Sequence, residues 1–165
     1  MNIIEIFTKS LFLIISFDSD LWEIIILSLY VSISALIIAS ILGLLIGYYI
    51  ALKKFLFKSF ILIVLNSLMG IPPVVVGLIV YFMFASGGPL GVLQLLYTPT
   101  AMIIAQVIII FPIVTSISHE IFDQNWREYK DQLRSINMPF FGIAFIITKH
   151  SYFLVITALL SAFGR

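Results

Sequence analysis

The chain contains no cysteine, which excludes a disulfide framework, thiolate metal sites and thiol chemistry. Charge is almost as scarce: 10% of the 165 residues are Asp, Glu, Lys or Arg, against 62% apolar residues. The formal net charge of +1 offers nothing for a nucleic acid to recognise, and no such partner is expected. Histidine is limited to His119 and His150, and no metal site is expected. The most telling absence is local. Between Lys58 and His119 no charged residue occurs over 60 positions. A helix crosses about 30 Å of hydrocarbon with about 20 apolar residues. That one stretch is long enough for two crossings, and a mean hydropathy of +1.19 agrees with an all-α integral membrane protein.

The absence of charge also limits the chemistry. The first three predicted spans carry no ionisable group in their interiors, so their Ser and Thr hydroxyls have no base to activate them. The chain is not expected to be an enzyme, nor a proton- or sodium-coupled carrier, which needs buried acids. Asn66 and Gln106 are the amides set well inside the second and third spans, and interhelical hydrogen bonding is their expected role.

What is present is a series of apolar runs. The pattern of a secretory signal is not met, and residues 1–17 read either as an amphipathic segment at the membrane surface, within an N-terminal interfacial region of residues 1–22, or as the frayed start of the first span. The first span is Ile24 to Leu52, closed by Lys53, Lys54 and Lys58. The second lies within Ser59 to Phe84 and is bent or broken near Gly70-Ile-Pro-Pro73, since adjacent prolines remove helix hydrogen bonds. An uncharged loop, Ala85 to Tyr97, leads to a third span, Pro99 to Ser118. The charge-rich stretch follows, within a segment 119–149, and a fourth apolar run starts at Ser151. The uncharged part of that run has 14 residues, too few for a full crossing. A single domain, 1–165, with about four spans is expected, the last one incomplete.

Basic residues set the expected orientation. Lys and Arg cluster at 53–58 and in 119–150, are missing from 85–97, and are represented before the first span by Lys9 alone. The positive-inside rule then puts the N-terminus and the 85–97 loop outside and the two basic segments in the cytoplasm.

Within the charged segment, Asp131-Gln-Leu-Arg-Ser-Ile-Asn137 resembles the cytoplasmic loop of bacterial ABC-importer permeases. In that pattern an acid precedes two small residues, three variable positions and Gly. Asp131 stands at the acid, Gln132 and Leu133 at the small positions, and Asn137 at the glycine, where Asn tolerates left-handed backbone. Elsewhere, Met69-Gly-Ile-Pro-Pro-Val-Val-Val-Gly-Leu78, Gly88-Pro-Leu-Gly91, Leu96-Tyr-Thr-Pro-Thr-Ala-Met-Ile-Ile-Ala-Gln106 and Phe111-Pro-Ile-Val-Thr115 are similar to tungstate ABC-transporter permease subunits. Leu27-Ser-Leu-Tyr-Val-Ser32, Gly43-Leu-Leu-Ile-Gly47 and Ala162-Phe-Gly-Arg165 fit the same family, so the likeness runs from about Asp18 to Arg165.

The resemblance implies an ABC-importer permease fold with a cytoplasmic coupling helix between spans three and four. It implies the membrane subunit of an ATP-driven tungstate importer in a bacterial inner membrane. The implied partners are an ATP-binding subunit that holds ATP and Mg, an extracytoplasmic tungstate-binding protein, and a second permease copy. No cofactor is expected in this chain. The implied coupling residues are Glu128, Asp131, Gln132, Leu133, Arg134 and Asn137, and the candidate path residues are Pro72, Pro73, Gly77, Thr115 and Arg165. The break at Pro72-Pro73 is a candidate for helix-end amides that face an anion, or a plain kink. A molybdate or sulfate permease is the near alternative. A membrane scaffold and a small pore-forming oligomer are alternatives of another class. The family pattern normally continues past Arg165 with a further span, so a truncated, frameshifted or partial copy is expected.

Overall fold

A computed structural model describes residues 8, 16, 18–135, 139, 142, 143, 145, 146, 149 and 152–164. The interfacial segment expected over 1–17 therefore lies outside the described residues except for Thr8 and Ser16. Helix α1 spans Ser19–Leu52, α2 Lys58–Met69, α3 Pro73–Phe84, α4 Pro99–Ser135 and α5 Tyr152–Phe163. A short 3₁₀ turn, Gly91–Leu93, lies in the loop between α3 and α4.

Local chemistry sets the helix starts. Asp18 caps α1 by accepting a hydrogen bond from the Leu21 amide at 3.2 Å, and Asp20 sits in the first turn where the helix dipole favours an anion. Thr98 caps α4 by accepting from the Ala101 amide at 3.4 Å, and Pro99 follows at the first helical position, where its missing N–H costs nothing. Helix α1 has 34 residues, about 51 Å at 1.5 Å each, longer than a bilayer is thick.

Helices α1 and α4 form the centre of the molecule. On α1, Ala35, Ala39, Gly43, Gly47 and Ala51 recur every fourth residue and are all buried. Small residues at this spacing make one smooth stripe, and it lets a second backbone approach closely, the main source of helix attraction in lipid. Against it lie Ile110, Ile113, Val114 and Thr115 of α4. A methyl group added at Gly47 would sit 2.8 Å from the Thr115 carbonyl oxygen and 3.0 Å from the His119 amide nitrogen. At Gly43 the nearest atom would be Val114 Cγ1, at 2.8 Å.

The two helices run parallel. Gln106 bonds Ser32, and 16 residues further along each helix the Phe122 ring meets Tyr48 edge-on at 5.4 Å. The same offset of 74 positions therefore holds at both places. Parallel neighbours require the chain to return from the far end of α1 to the near end of α4, and α2 with α3 makes that return. Lys58 pairs with Asp123, Asn66 with Ser116, and Val76, Val80 and Phe84 join Ala101 in one apolar cluster. From Asp123 to Ala101 is roughly 33 Å along α4, the thickness of the hydrocarbon layer. The segment is thus one broken span, bent by 98° between Met69 and Pro73. This matches the break expected at Gly70-Ile-Pro-Pro73.

The third span, expected over Pro99 to Ser118, is part of a longer helix. It continues without interruption as α4 to Ser135, a helix of 37 residues. Beyond His119 its inner face keeps an apolar partner: Phe122, Trp126 and Tyr129 pack with Tyr48 and Ala51 of α1. Glu120, Arg127 and Glu128 are exposed on the other faces, so the helix has no physical reason to end where charge begins. Pro112 lies inside α4 and deprives the Ile108 carbonyl of its helical donor, yet the helix continues. Helix α5 packs back on α4 and α1 through Val155, Leu159 and Ala162. The remaining surface is apolar on α1, α2 and α3, as for helices that face lipid.

Alanine at Gly47 is expected to lower stability in detergent by roughly 1–3 kcal/mol, because the added methyl meets backbone. Gly43→Ala meets the Val114 side chain first, with the Thr115 amide nitrogen at 3.2 Å, and should cost less. Gly77→Ala meets nothing within 4 Å and should be neutral or slightly stabilising, by at most about 1 kcal/mol. Thermal unfolding of the three variants ranks them, and an inverted order would contradict the packing.

The parallel arrangement also makes a topological prediction. Single cysteines are readily introduced in a chain that has none. Leu56→Cys and Val92→Cys occupy exposed loops at opposite ends of the bundle. In sealed vesicles a membrane-impermeant thiol reagent should label one and spare the other. Labelling of both from one side would overturn the broken-span assignment.

Candidate functional site

Polar side chains converge at one end of the bundle, where α1 stops, α2 starts and α4 runs outward. Two recesses open there. One, of about 460 Å³, lies between α2 and α4 and is lined by Asn66, Ser116, His119, Glu120, Asp123 and Arg127, with Leu62 and Gln124. The other, of about 660 Å³, is lined by Lys53, Lys54, Lys58, Asp123, Trp126 and Arg127, with Ala51 and Leu52.

Asp123 stands in the wall between them and holds one cation on each oxygen. Lys58 Nζ lies 3.2 Å from Oδ1, and Arg127 Nη2 lies 2.7 Å from Oδ2. Lys58 also donates to the Ala51 carbonyl at 3.3 Å, which ties the end of α1 to the start of α2. As the first residue of α2, Lys58 opposes the helix dipole, and the carboxylate beside it offsets that penalty. Asp123 and Lys58 are largely covered, whereas Arg127 keeps 79% of its side-chain surface exposed. One turn deeper, His119 lines the first recess, and its Nε2 is buried without a protein hydrogen-bond partner among the described residues. Ser116 donates to the Asn66 amide oxygen, and Gln106 donates to Ser32 at 3.3 Å. Both deep amides thus hold helices together, as expected from the sequence. Among the described residues no cluster of three or more His, Asp or Glu is placed to hold a metal ion.

The break between α2 and α3 forms the second functional region. Pro72, Pro73 and Gly77 are exposed there. Its first turn has little to offer an anion, however. Pro72 and Pro73 have no N–H, and the Val75 and Val76 amides both bond the Pro72 carbonyl, at 2.9 and 3.5 Å. Val74 is left as the one amide of that turn not engaged with Pro72. A helix start normally presents four such donors, so the plain kink is the reading this geometry favours. Behind the break an apolar cavity of about 150 Å³ is lined by Met69, Ile71, Pro73, Val76, Ile109 and Ile113, among others.

The remaining sequence-predicted residues fall in separate places. Thr115, expected on the path, is completely buried against α1, and its hydroxyl donates to the Phe111 carbonyl at 2.7 Å. The close approach of Gly43 and Gly47 covers it. Glu128 is exposed on α4, and Asp131, Gln132, Leu133 and Arg134 lie on its last turns. Asn137 and Arg165 lie outside the described residues. Two features went unread in the sequence. The small-residue stripe on α1 was detectable as a four-residue period. The pairing of Lys58 with Asp123, 65 positions apart, left no local signal.

Comparisons with known proteins bear on the family of the chain. Residues 39–165 match the family model described as "Binding-protein-dependent transport system inner membrane component". A Peptoclostridium acidaminophilum protein named "Tungstate uptake system permease protein TupB" is 41% identical over 119 residues, covering 72% of this chain and 52% of its own length. A Haloferax volcanii protein named "Probable anion ABC transporter permease protein" is 36% identical over 138 residues, covering 84% of this chain and 60% of its own length. A Campylobacter jejuni protein, also named as a tungstate uptake permease TupB, is 27% identical over 159 residues, covering 96% of this chain and 66% of its own length. The chain thus spans between about half and two-thirds of the length of the relatives it matches.

Replacing Asp123 by Asn removes the counter-charge of both Lys58 and Arg127. A loss of roughly 1–3 kcal/mol in detergent is expected, while Arg127→Gln, which removes a side chain that is itself mostly in solvent, should cost less than about 1 kcal/mol. Chemical or thermal unfolding distinguishes the two. Equal losses would show that Lys58 contributes nothing.

Proposed function

We propose, from the premise that this chain belongs to the binding-protein-dependent transport system inner membrane component family, that it forms the membrane path of an ATP-driven oxyanion importer whose cargo is tungstate. The observation that carries the mechanical part of this reading is α4. It is a single helix that starts in the uncharged loop, packs along the small-residue stripe of α1 and extends past the polar end of the bundle. Its final 12 residues, Gln124–Ser135, reach roughly 18 Å beyond Asp123. The motif beginning at Asp131 lies at that tip. A force applied there reaches the centre of the spans without crossing a joint, which is what a rigid-body coupling of motor to path needs.

Glu128, Asp131, Gln132, Leu133, Arg134 and Asn137 form the assigned contact with an ATP-binding subunit. The chain has no Gly-Lys pair and hence no P-loop, so ATP and Mg belong to that subunit. The exposed break at Pro72, Pro73 and Gly77 is the assigned path-facing element, and Arg165 is the assigned cation toward the anion. An extracytoplasmic binding protein delivers the cargo, and a second copy of the permease completes the path. The basic end of the bundle faces the cytoplasm and the N-terminus lies outside, in keeping with the positive-inside rule. The name of the 41%-identical relative supports tungstate. The general anion named for the Haloferax volcanii relative keeps molybdate as a second reading.

The complete transporter, reconstituted with its binding protein, tests both parts. Tungstate should stimulate ATP hydrolysis more than molybdate does, and the reverse would reassign the cargo. Asp131→Lys together with Leu133→Lys should abolish that stimulation and weaken association with the ATP-binding subunit at least tenfold. Undiminished association would remove the coupling assignment.

A further inference from the structure

The recess of about 660 Å³ at the end of α1 is not required by the transport reading, and its chemistry is specific. Lys53, Lys54, Lys58 and Arg127 line it with a single carboxylate, Asp123, so it carries a surplus of three positive charges. Asp123 is oriented into the wall and held by Lys58 and Arg127. Lys53 and Lys54 are exposed. The recess also lies beside the start of α2, where the Lys58 amide is taken by the Phe55 carbonyl and the Ser59 and Phe60 amides have no intrahelical acceptor. Phe57, at the cap position, makes no side-chain hydrogen bond to them. Helix-start amides and lysines together favour an anion with several oxygens.

Its depth in the membrane identifies the source of that anion. Lys53 directly follows the apolar run of α1, and the recess lies between the last turn of α1 and the first of α2. Trp126 lines one wall, and indole rings collect at the headgroup level. Leu56 and Phe57, between the lysines, are exposed apolar residues with no protein cover. In water this would be unfavourable, and against acyl chains it is not. An apolar rim around a cationic recess matches a phospholipid, with phosphate inside and chains outside. Basic recesses between helices at this level are the usual places for anionic headgroups.

We infer that this recess binds the phosphate headgroup of an anionic phospholipid from the adjoining leaflet. The bound lipid would tie α1, α2 and α4 together at the point where α4 leaves the membrane. The inference is independent of which oxyanion is transported.

The test is retention of phosphatidylglycerol over phosphatidylcholine by the purified full chain, read by native mass spectrometry from mixed detergent–lipid micelles. The wild-type chain should retain phosphatidylglycerol preferentially. Lys53→Gln with Lys54→Gln leaves the Lys58–Asp123 pair intact and should reduce retention roughly fivefold per lysine. Lys149→Gln, outside the recess, should leave it unchanged. Excess inorganic phosphate should not displace the lipid. Equal loss in Lys149→Gln would mean diffuse attraction and overturn the site. Displacement by millimolar phosphate would mean a soluble-anion site and overturn the lipid assignment. Equal retention of phosphatidylcholine would overturn both.

Discussion

Close contact between α1 and α4 is the constraint from which the remaining architecture follows. In lipid there is no hydrophobic force to press helices together, so attraction depends on how near two backbones can come. Ala35, Ala39, Gly43, Gly47 and Ala51 remove side-chain bulk along one line of α1, and α4 fills the space with Val114, Thr115 and Ser118. The contact is parallel, and that has a consequence for the chain between the helices. It must cross the membrane once, with only α2 and α3 to do it. A straight helix of comparable length would meet the requirement, but Gly70-Ile-Pro-Pro73 divides the crossing and turns it by 98°.

The cost of polar groups in hydrocarbon then sorts the rest. Deep amides and hydroxyls pair across helices, at Ser32 with Gln106 and at Asn66 with Ser116. Charge is confined to the end, where Lys58, Asp123 and Arg127 satisfy one another at the margin of water. This margin is also where α4 changes character. On one face it keeps an apolar seam with α1 through Phe122 and Trp126, and on the others it carries charge. A single helix thereby connects the span to the aqueous side.

Much of this was legible in the sequence, and the parts that were not have physical reasons. The spans followed from missing charge, and the break from Pro72-Pro73, because both signals are local. Interhelical roles for Asn66 and Gln106 followed from the lack of any ionisable partner. The continuation of the helix past His119 and Glu120 was not legible, because charge marks the edge of an apolar run, whereas a helix ends only when its backbone bonding or packing does. The burial of Thr115 was not legible, because only the positions of Gly43 and Gly47 show that a backbone covers it. The Asp123 pairings needed the fold itself. The family was legible from motifs scattered over the chain, including the break and the loop preceding α4.

The functional reading rests on α4 being held rigidly in parallel register with α1. Paired cysteines in the cysteine-free background test that register directly. Ser32→Cys with Gln106→Cys, and Tyr48→Cys with Phe122→Cys, should each cross-link rapidly with a short bifunctional reagent in membranes. Cross-linking of Ser32→Cys with Phe122→Cys instead would mean antiparallel packing, and would contradict both the broken return span and the lever that α4 provides.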